Sequence, residues 1–146
     1  MTDRPSEAAV SAWIALVRAG QVVQSAVEAD LKVAGFPPLA WYDALLELRG
    51  AGPEGLRPGD LERRMLLAQY NVSRLADRLV RAGLVQRWSC PEDARGNVLT
   101  ATETGLDLLA RMWPVYAAAI ERHLGAKLGD DEAVELARLL GKLRAE

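Results

Sequence analysis

The sequence predicts a mainly α protein interrupted once by a small β-hairpin. Three observations carry this expectation. Apolar residues recur at helical spacing through most of the chain. The period changes only between Leu84 and Ala101, where Pro91, Asp93, Gly96 and Asn97 separate two short runs. The chain has 146 residues, 50% of them hydrophobic and 26% charged. That length and balance suit one folded unit with its own core.

The elements follow in order. Ser6 is placed to cap a first helix, with Glu7 in its first turn. Trp13, Leu16, Val23, Val27 and Leu31 then recur at helical spacing, and Glu28 and Lys32 form an i,i+4 pair. Gly35 and the Pro37-Pro38 pair end this long helix. A second helix is expected from Leu39 to Arg49, with Trp41, Leu45 and Leu48 on one side. Gly50 to Gly55 reads as a loop. Pro58 opens a short third helix, and Met65 to Leu67 a turn. A fourth helix is expected from Gln69 to Ala82, its core side carried by Val72, Leu75, Ala76 and Leu79, with Gly83 as its stop. Leu84–Ser89 and Asn97–Ala101 form the hairpin. Thr102 caps a fifth helix with the ladder Leu106, Leu109, Trp113, Tyr116 or Ala117, Ile120 and Leu124, kinked at Pro114. Asp130 starts a last helix carrying Leu136, Leu139, Leu140 and Leu143.

Several function classes are disfavoured. No unbroken apolar run exceeds six residues, the length of Val115 to Ile120, against about 18 for a membrane span. The N-terminus, Met-Thr-Asp-Arg-Pro-Ser-Glu, lacks the pattern of an export signal. One cysteine, Cys90, allows no internal disulfide, and a reducing cytoplasm is the expected setting. Cys90 reads as incidental. One histidine, His123, reads as a surface or packing residue and precludes a two-histidine metal site within one chain. No nucleotide loop and no acid–base constellation occurs, so neither an enzyme nor a cofactor or metal is expected.

Charge is uneven. Residues 1–56 carry 4 bases and 7 acids, residues 57–95 carry 8 and 5, and residues 96–146 carry 6 and 8. The overall −2 therefore hides a basic middle flanked by acidic structure. Gln69, Tyr70, Asn71, Ser73 and Arg74 occupy the start of the fourth helix. Side chains there are the ones an inserted helix presents to base edges: Gln and Asn pair with adenine, Arg with guanine. A plain solvated helix face is the bland alternative for these residues.

The ordered set resembles the MarR family of bacterial transcriptional regulators. Val72-Ser73-Arg74-Leu75-Ala76-Asp77-Arg78-Leu79 followed by Gly83-Leu84-Val85 is similar to that family's recognition helix and first wing strand. Asp93-Ala94-Arg95 is similar to the D-x-R of the wing tip. Val98 with Thr102-Glu103-Thr104-Gly105 is similar to the strand and Thr-x-x-Gly that follow. Leu128, Glu132, Leu136, Leu139, Leu140, Lys142 and Leu143 are similar to the closing helix. Ala101, Ala68 and Arg57 depart from the pattern, the last two at helix-capping places.

The resemblance implies a winged helix-turn-helix with long N- and C-terminal dimerisation helices. In that division residues 1–36 and 103–146 dimerise, and residues 37–102 form the DNA-binding lobe. It implies a homodimer on palindromic double-stranded DNA, a repressor responsive to a small aromatic or phenolic ligand. Arg95 would enter the minor groove with Asp93 orienting it or pairing with a base from the fourth helix, and Arg63, Arg64 and Arg87 would meet phosphates. Trp13, Trp41, Tyr42, Trp113 and Tyr116 would bound a ligand cleft, with Arg18 or Arg49 near a carboxylate; core packing is the competing role for the aromatics. The missing caps at Arg57 and Ala68 leave a second reading open: a dimeric helical interaction module that keeps the shape without DNA binding.

Overall fold

The computed structural model describes residues 3–67, 71–89 and 97–144. Its elements run α1 (Glu7–Val33), α2 (Leu39–Ala51), a 3₁₀ turn (Gly52–Glu54), α3 (Pro58–Arg64), α4 (Val72–Arg81), β1 (Val85–Ser89), β2 (Asn97–Ala101), α5 (Glu103–Ile120), a π turn (Glu121–Gly125) and α6 (Asp130–Arg144). The expected mainly α chain with one hairpin is the fold observed.

Capping explains most boundaries. Ser6 Oγ accepts from the Ala9 N–H at 3.0 Å, as expected. At the other end of α1, Gly35 takes φ +82°. There the Gly35 N–H bonds the Lys32 carbonyl and the Phe36 N–H bonds the Leu31 carbonyl. This paired pattern is a Schellman cap. The same cap closes α4, where the Gly83 N–H bonds Val80 and the Leu84 N–H bonds Leu79. Leu79 and Leu84 are both buried, which supplies the apolar contact such caps carry. Helix α2 begins after Pro38, whose side chain offers no capping bond. Glu28 of α1 supplies it instead: its Oε1 accepts from the Leu39 N–H at 2.6 Å. Glu28 thus joins two helices, a tertiary role beyond the expected pairing with Lys32.

Two expectations are corrected. Residues 50–55 are not a loop throughout: α2 continues to Ala51, and the 3₁₀ turn follows. The fourth helix starts at Val72 rather than Gln69, because Asn71 has non-helical backbone and caps it. The fifth helix carries Pro114 in its interior and is followed by the π turn. There Asp30 Oδ2 of α1 meets both Arg122 Nη1 and His123 Nε2 at 2.8 Å, so His123 ties the turn to α1.

The core is built by Leu31, Leu45, Leu48, Leu61, Leu79, Leu99, Leu109 and Met112, all fully buried. β1 and β2 pair antiparallel, Val85 with Ala101 through Ser89 with Asn97. Leu56 adds an isolated bridge to Leu99 on the other edge, with N–H···O contacts of 3.0 and 2.8 Å. The buried stripe of α5 is Leu108, Leu109, Met112 and Ala119. Leu106, Trp113 and Ile120 of the expected ladder are exposed. Leu109 of that ladder is buried and Tyr116 packs against the core, so the expected ladder mixes the two apolar faces of the helix.

A large apolar surface remains. In α1 only Val27 and Leu31 are buried, while Trp13 is 64% exposed and Val22 66%. In α6 no residue is buried, and Val134 and Leu143 are 70% and 68% exposed. The α1 helix is long and apolar enough to cross a membrane by length and composition. Its C-terminal end is nonetheless built into the core through Val27 and Leu31.

The junction of α5 with the hairpin sets the angle between these parts. Thr102 Oγ1 accepts from the Gly105 N–H at 3.1 Å and donates to the Gly83 carbonyl at 2.7 Å. A Cβ at position 105 would lie 2.2 Å from the Leu84 carbonyl oxygen. This close approach is the physical content of the Thr-x-x-Gly motif. Alanine would gain up to about 1 kcal/mol of helix propensity. Backbone overlap outweighs that gain, so Gly105→Ala should destabilise by about 1–3 kcal/mol. Gly50, also helical, has open space around it. Gly50→Ala should therefore stabilise by about 0.5–1 kcal/mol. Urea unfolding midpoints of the two variants should move in opposite directions; a shared direction would contradict this account.

Candidate nucleic-acid interface

Helix α3 is followed by a bend at residues 66–67, and α4 begins at Val72. The buried sides of α4 are Val72, Leu75, Ala76 and Leu79, the four expected from the sequence. Its outward side carries Ser73, Arg74, Asp77, Arg78 and Arg81. Asn71 Oδ1 accepts from the Arg74 N–H at 2.9 Å. Helix α4 therefore has a side-chain cap, placed three residues beyond Ala68, which lies outside the described residues. The same bond engages the oxygen that a two-point adenine contact would need. Asn71 keeps its amide N–H₂ for an outside acceptor.

Sequence reasoning misses Arg78 and Arg81. With Arg74 they fall at i, i+4 and i+7, one face of the helix. That spacing is the signal that could have found them. Gln69, Tyr70, Asp93 and Arg95 lie outside the described residues, as does Cys90.

The other expected cations are placed as follows. Arg64 is exposed at the end of α3. Arg63 is exposed and paired with Asp60 one turn earlier. Arg87 of β1 reaches Asp77 of α4 at 2.7 Å. That pair is open to solvent and worth at most about 1 kcal/mol, but it aligns the wing with the recognition helix. Trp88 Nε1 donates to Thr100 Oγ1 at 2.9 Å across the hairpin.

Asp43 is also missed. It is the one buried charged side chain among the described residues, 5% exposed. Its Oδ1 accepts from the Leu66 N–H at 2.9 Å and its Oδ2 from the Leu67 N–H at 2.7 Å. A buried carboxylate is costly unless hydrogen-bonded, and here both oxygens are. The available signal is a single acid four residues after Leu39, on the apolar side of α2.

Of the five aromatics expected around a cleft, three meet. Tyr42 stacks on Trp113 with centroids 6.5 Å apart and meets Tyr116 edge-on at 5.1 Å. Trp113 and Tyr116 are edge-on at 5.8 Å. Burial raises the Tyr116 phenol pKa above its ordinary value, and Asp43, Tyr42 and Glu28 add to the effect. Burial raises that of Tyr42 too, opposed by Arg49. Trp113 is half exposed, so the group is a wall with an open side. Trp41 packs against the core, and Trp13 stands on the exposed part of α1. Arg49 instead lines a cavity of about 440 Å³ with Trp88, Gln86 and Thr100, at the root of the hairpin.

Comparison with known proteins agrees with this layout. The model of the MarR family matches residues 34–96, the span from the end of α1 to the hairpin. An uncharacterised HTH-type transcriptional regulator of Bacillus subtilis strain 168, YkoM, is 32% identical over 93% of this chain and 86% of its own. The crystal structure of AbsC, a MarR family transcriptional regulator of Streptomyces coelicolor, superposes with a TM-score of 0.80. It is 26% identical, over 98% of this chain and 96% of that one. Sco3205 of the same organism, solved in complex with DNA, gives a TM-score of 0.83 at 22% identity over 98% and 91% of the two chains. With helix order, hairpin and capping motifs all in place over nearly the full length, the chain belongs to the MarR family of transcriptional regulators.

Proposed function

We propose that this protein is a sequence-specific, double-stranded DNA-binding repressor that acts in the cytoplasm as a homodimer. Residues 37–102 serve as the reading lobe, and residues 1–36 and 103–146 as the dimerisation parts. The observation that carries the reading is the outward face of α4, with Ser73, Arg74, Arg78 and Arg81 exposed and the opposite face buried. A helix so mounted suits insertion into a major groove. Sco3205, similarly folded, was solved in complex with DNA, which supports DNA as the partner. The interaction-module alternative rests on missing caps. Asn71 supplies one where it matters most, and Pro58 at the first turn of α3 takes the place of another.

Dimerisation is supported by surface arithmetic. The chain exposes 10557 Å². A compact monomer of this mass exposes about 7,400 Å². The surplus lies on α1, α6 and the outer side of α5, as Trp13, Ile14, Trp113, Ile120, Val134 and Leu139. An interlocked twofold dimer covers such helices and sets two α4 helices about one DNA turn apart. The wall of Tyr42, Trp113 and Tyr116, open on one side, would receive a small aromatic or phenolic ligand that modulates operator affinity.

Sedimentation at micromolar concentration should give about twice the 15.9 kDa chain mass. A folded monomer persisting there would refute the dimer. Operator affinity should fall steeply with salt, since each neutralised phosphate lowers log K by about 0.9 per log unit of salt. A flat response in fluorescence anisotropy would refute a phosphate-dominated contact. Arg74→Ala should cost about 1–3 kcal/mol on operator DNA and much less on random DNA. Arg95→Ala should weaken both more evenly, with preference lost at A·T-rich flanks, and Asp93→Ala should mimic it more weakly. Competition titrations at fixed salt separate these roles, and equal losses on both DNAs for Arg74→Ala would reverse the assignment.

A further inference from the structure

Past α3 the chain turns at residues 65–67, where Met65 is buried and Leu67 packs against the core. Leu66, between them, is 75% exposed. The last helical bond of α3 runs from the Met65 N–H to the Leu61 carbonyl. The next two N–H groups leave the helix and point to Asp43. Only beyond them does the Asn71 cap start α4. Met65 and Leu67 anchor the turn by packing, and one carboxylate holds the Leu66 and Leu67 amides from below while the Leu66 side chain faces solvent.

We propose that Asp43 is a positioning residue for DNA reading: by gripping the Leu66 and Leu67 amides it fixes the start of α4 relative to α2. This rests on α4 being the DNA-reading helix. Charge-assisted bonds to two adjacent amides are directional and short-ranged. A turn held this way has one register. Released, it lets α3 and α4 shift relative to α2 while Leu61, Leu75 and Leu79 stay buried. The effect reaches base reading before it reaches the fold, because base contacts require placement within fractions of an ångström. Asp43 also follows Tyr42 in sequence, so adjacent residues of α2 serve the aromatic wall and the turn. Displacement of α2 by anything seated against Tyr42 would be passed directly to the Leu66 and Leu67 amides.

The test compares the full-length protein with Asp43→Asn, which keeps the shape and one acceptor but sets an N–H₂ against a backbone N–H. Val27→Ala, a core truncation in α1 that leaves the turn untouched, is the control. Operator affinity of Asp43→Asn should drop at least tenfold and random-DNA affinity less than threefold, with dimer mass and helical circular dichroism unchanged. Val27→Ala should leave the operator-to-random ratio intact. If Asp43→Asn behaves like Val27→Ala, the role is structural and the proposal fails. Amide hydrogen exchange of the wild-type protein supplies an arm independent of DNA and of variant folding. The Leu66 and Leu67 amides should be protected although they lie outside any helix, and fast exchange at both overturns the proposal. If the amides are protected and become labile in Asp43→Asn, but wild type does not distinguish operator from random DNA, the grip stands and the DNA-reading role of α4 is what fails.

Discussion

The arrangement of the whole chain depends on one close approach, that of Gly105 to the Leu84 carbonyl. Even a methyl group at position 105 would come within 2.2 Å of that oxygen, so no side chain fits there. The Thr102 hydroxyl completes the junction by bonding both the start of α5 and the end of α4. The recognition helix, the hairpin and the long α5 therefore leave one point with fixed angles. The outer side of α5 and all of α6 lie beyond the small core. The junction fixes where α5 starts, and packing on α1 and α2 with the Asp30 contacts at the π turn fixes its course.

The same division explains the two kinds of apolar surface. Helix α2 packs against α3, α5 and β2, and its Leu39, Tyr42, Ala44, Leu45 and Leu48 are buried. On α1 and α6 comparable residues face outward in long rows. Contiguous apolar surface of that extent marks a surface meant to be covered. The aromatic wall of Tyr42, Trp113 and Tyr116 lies on the boundary between the two regions. Tyr42 is buried in the lobe, while Trp113 belongs to the outward side of α5.

Much of this is legible in the sequence because it is local. Ser6, Thr102, Gly35 and Gly83 act within their own turns, and the apolar positions of α4 repeat at its own period. What is not legible depends on partners distant in the chain. Glu28 looks like half of an i,i+4 pair, but its use is fixed by Pro38 having no cap to give. Asp43 looks like an interruption of an apolar helix, and only the fold brings it under the turn at residues 66–67. The mixed α5 ladder has the same origin: a helix with two apolar faces has two valid stripes, and contacts elsewhere decide between them. The capping place at Ala68 follows from family pattern, whereas the chain places its cap at Asn71.

Charge shows how far geometry must carry recognition here. The basic middle of the chain holds a small excess over its acids, and part of it is already engaged. Arg63 is paired with Asp60 and Arg87 with Asp77. The outward face of α4 retains Arg74, Arg78 and Arg81 beside that same Asp77. Non-specific attraction grows with the number of phosphates neutralised, but phosphate contacts carry no sequence information. Discrimination must come from the placement of each base contact. Placement in turn rests on backbone anchors beneath the reading helix: the Asn71 cap at its start, the Gly83 cap at its end, and the Asp43 carboxylate under the turn that leads into it.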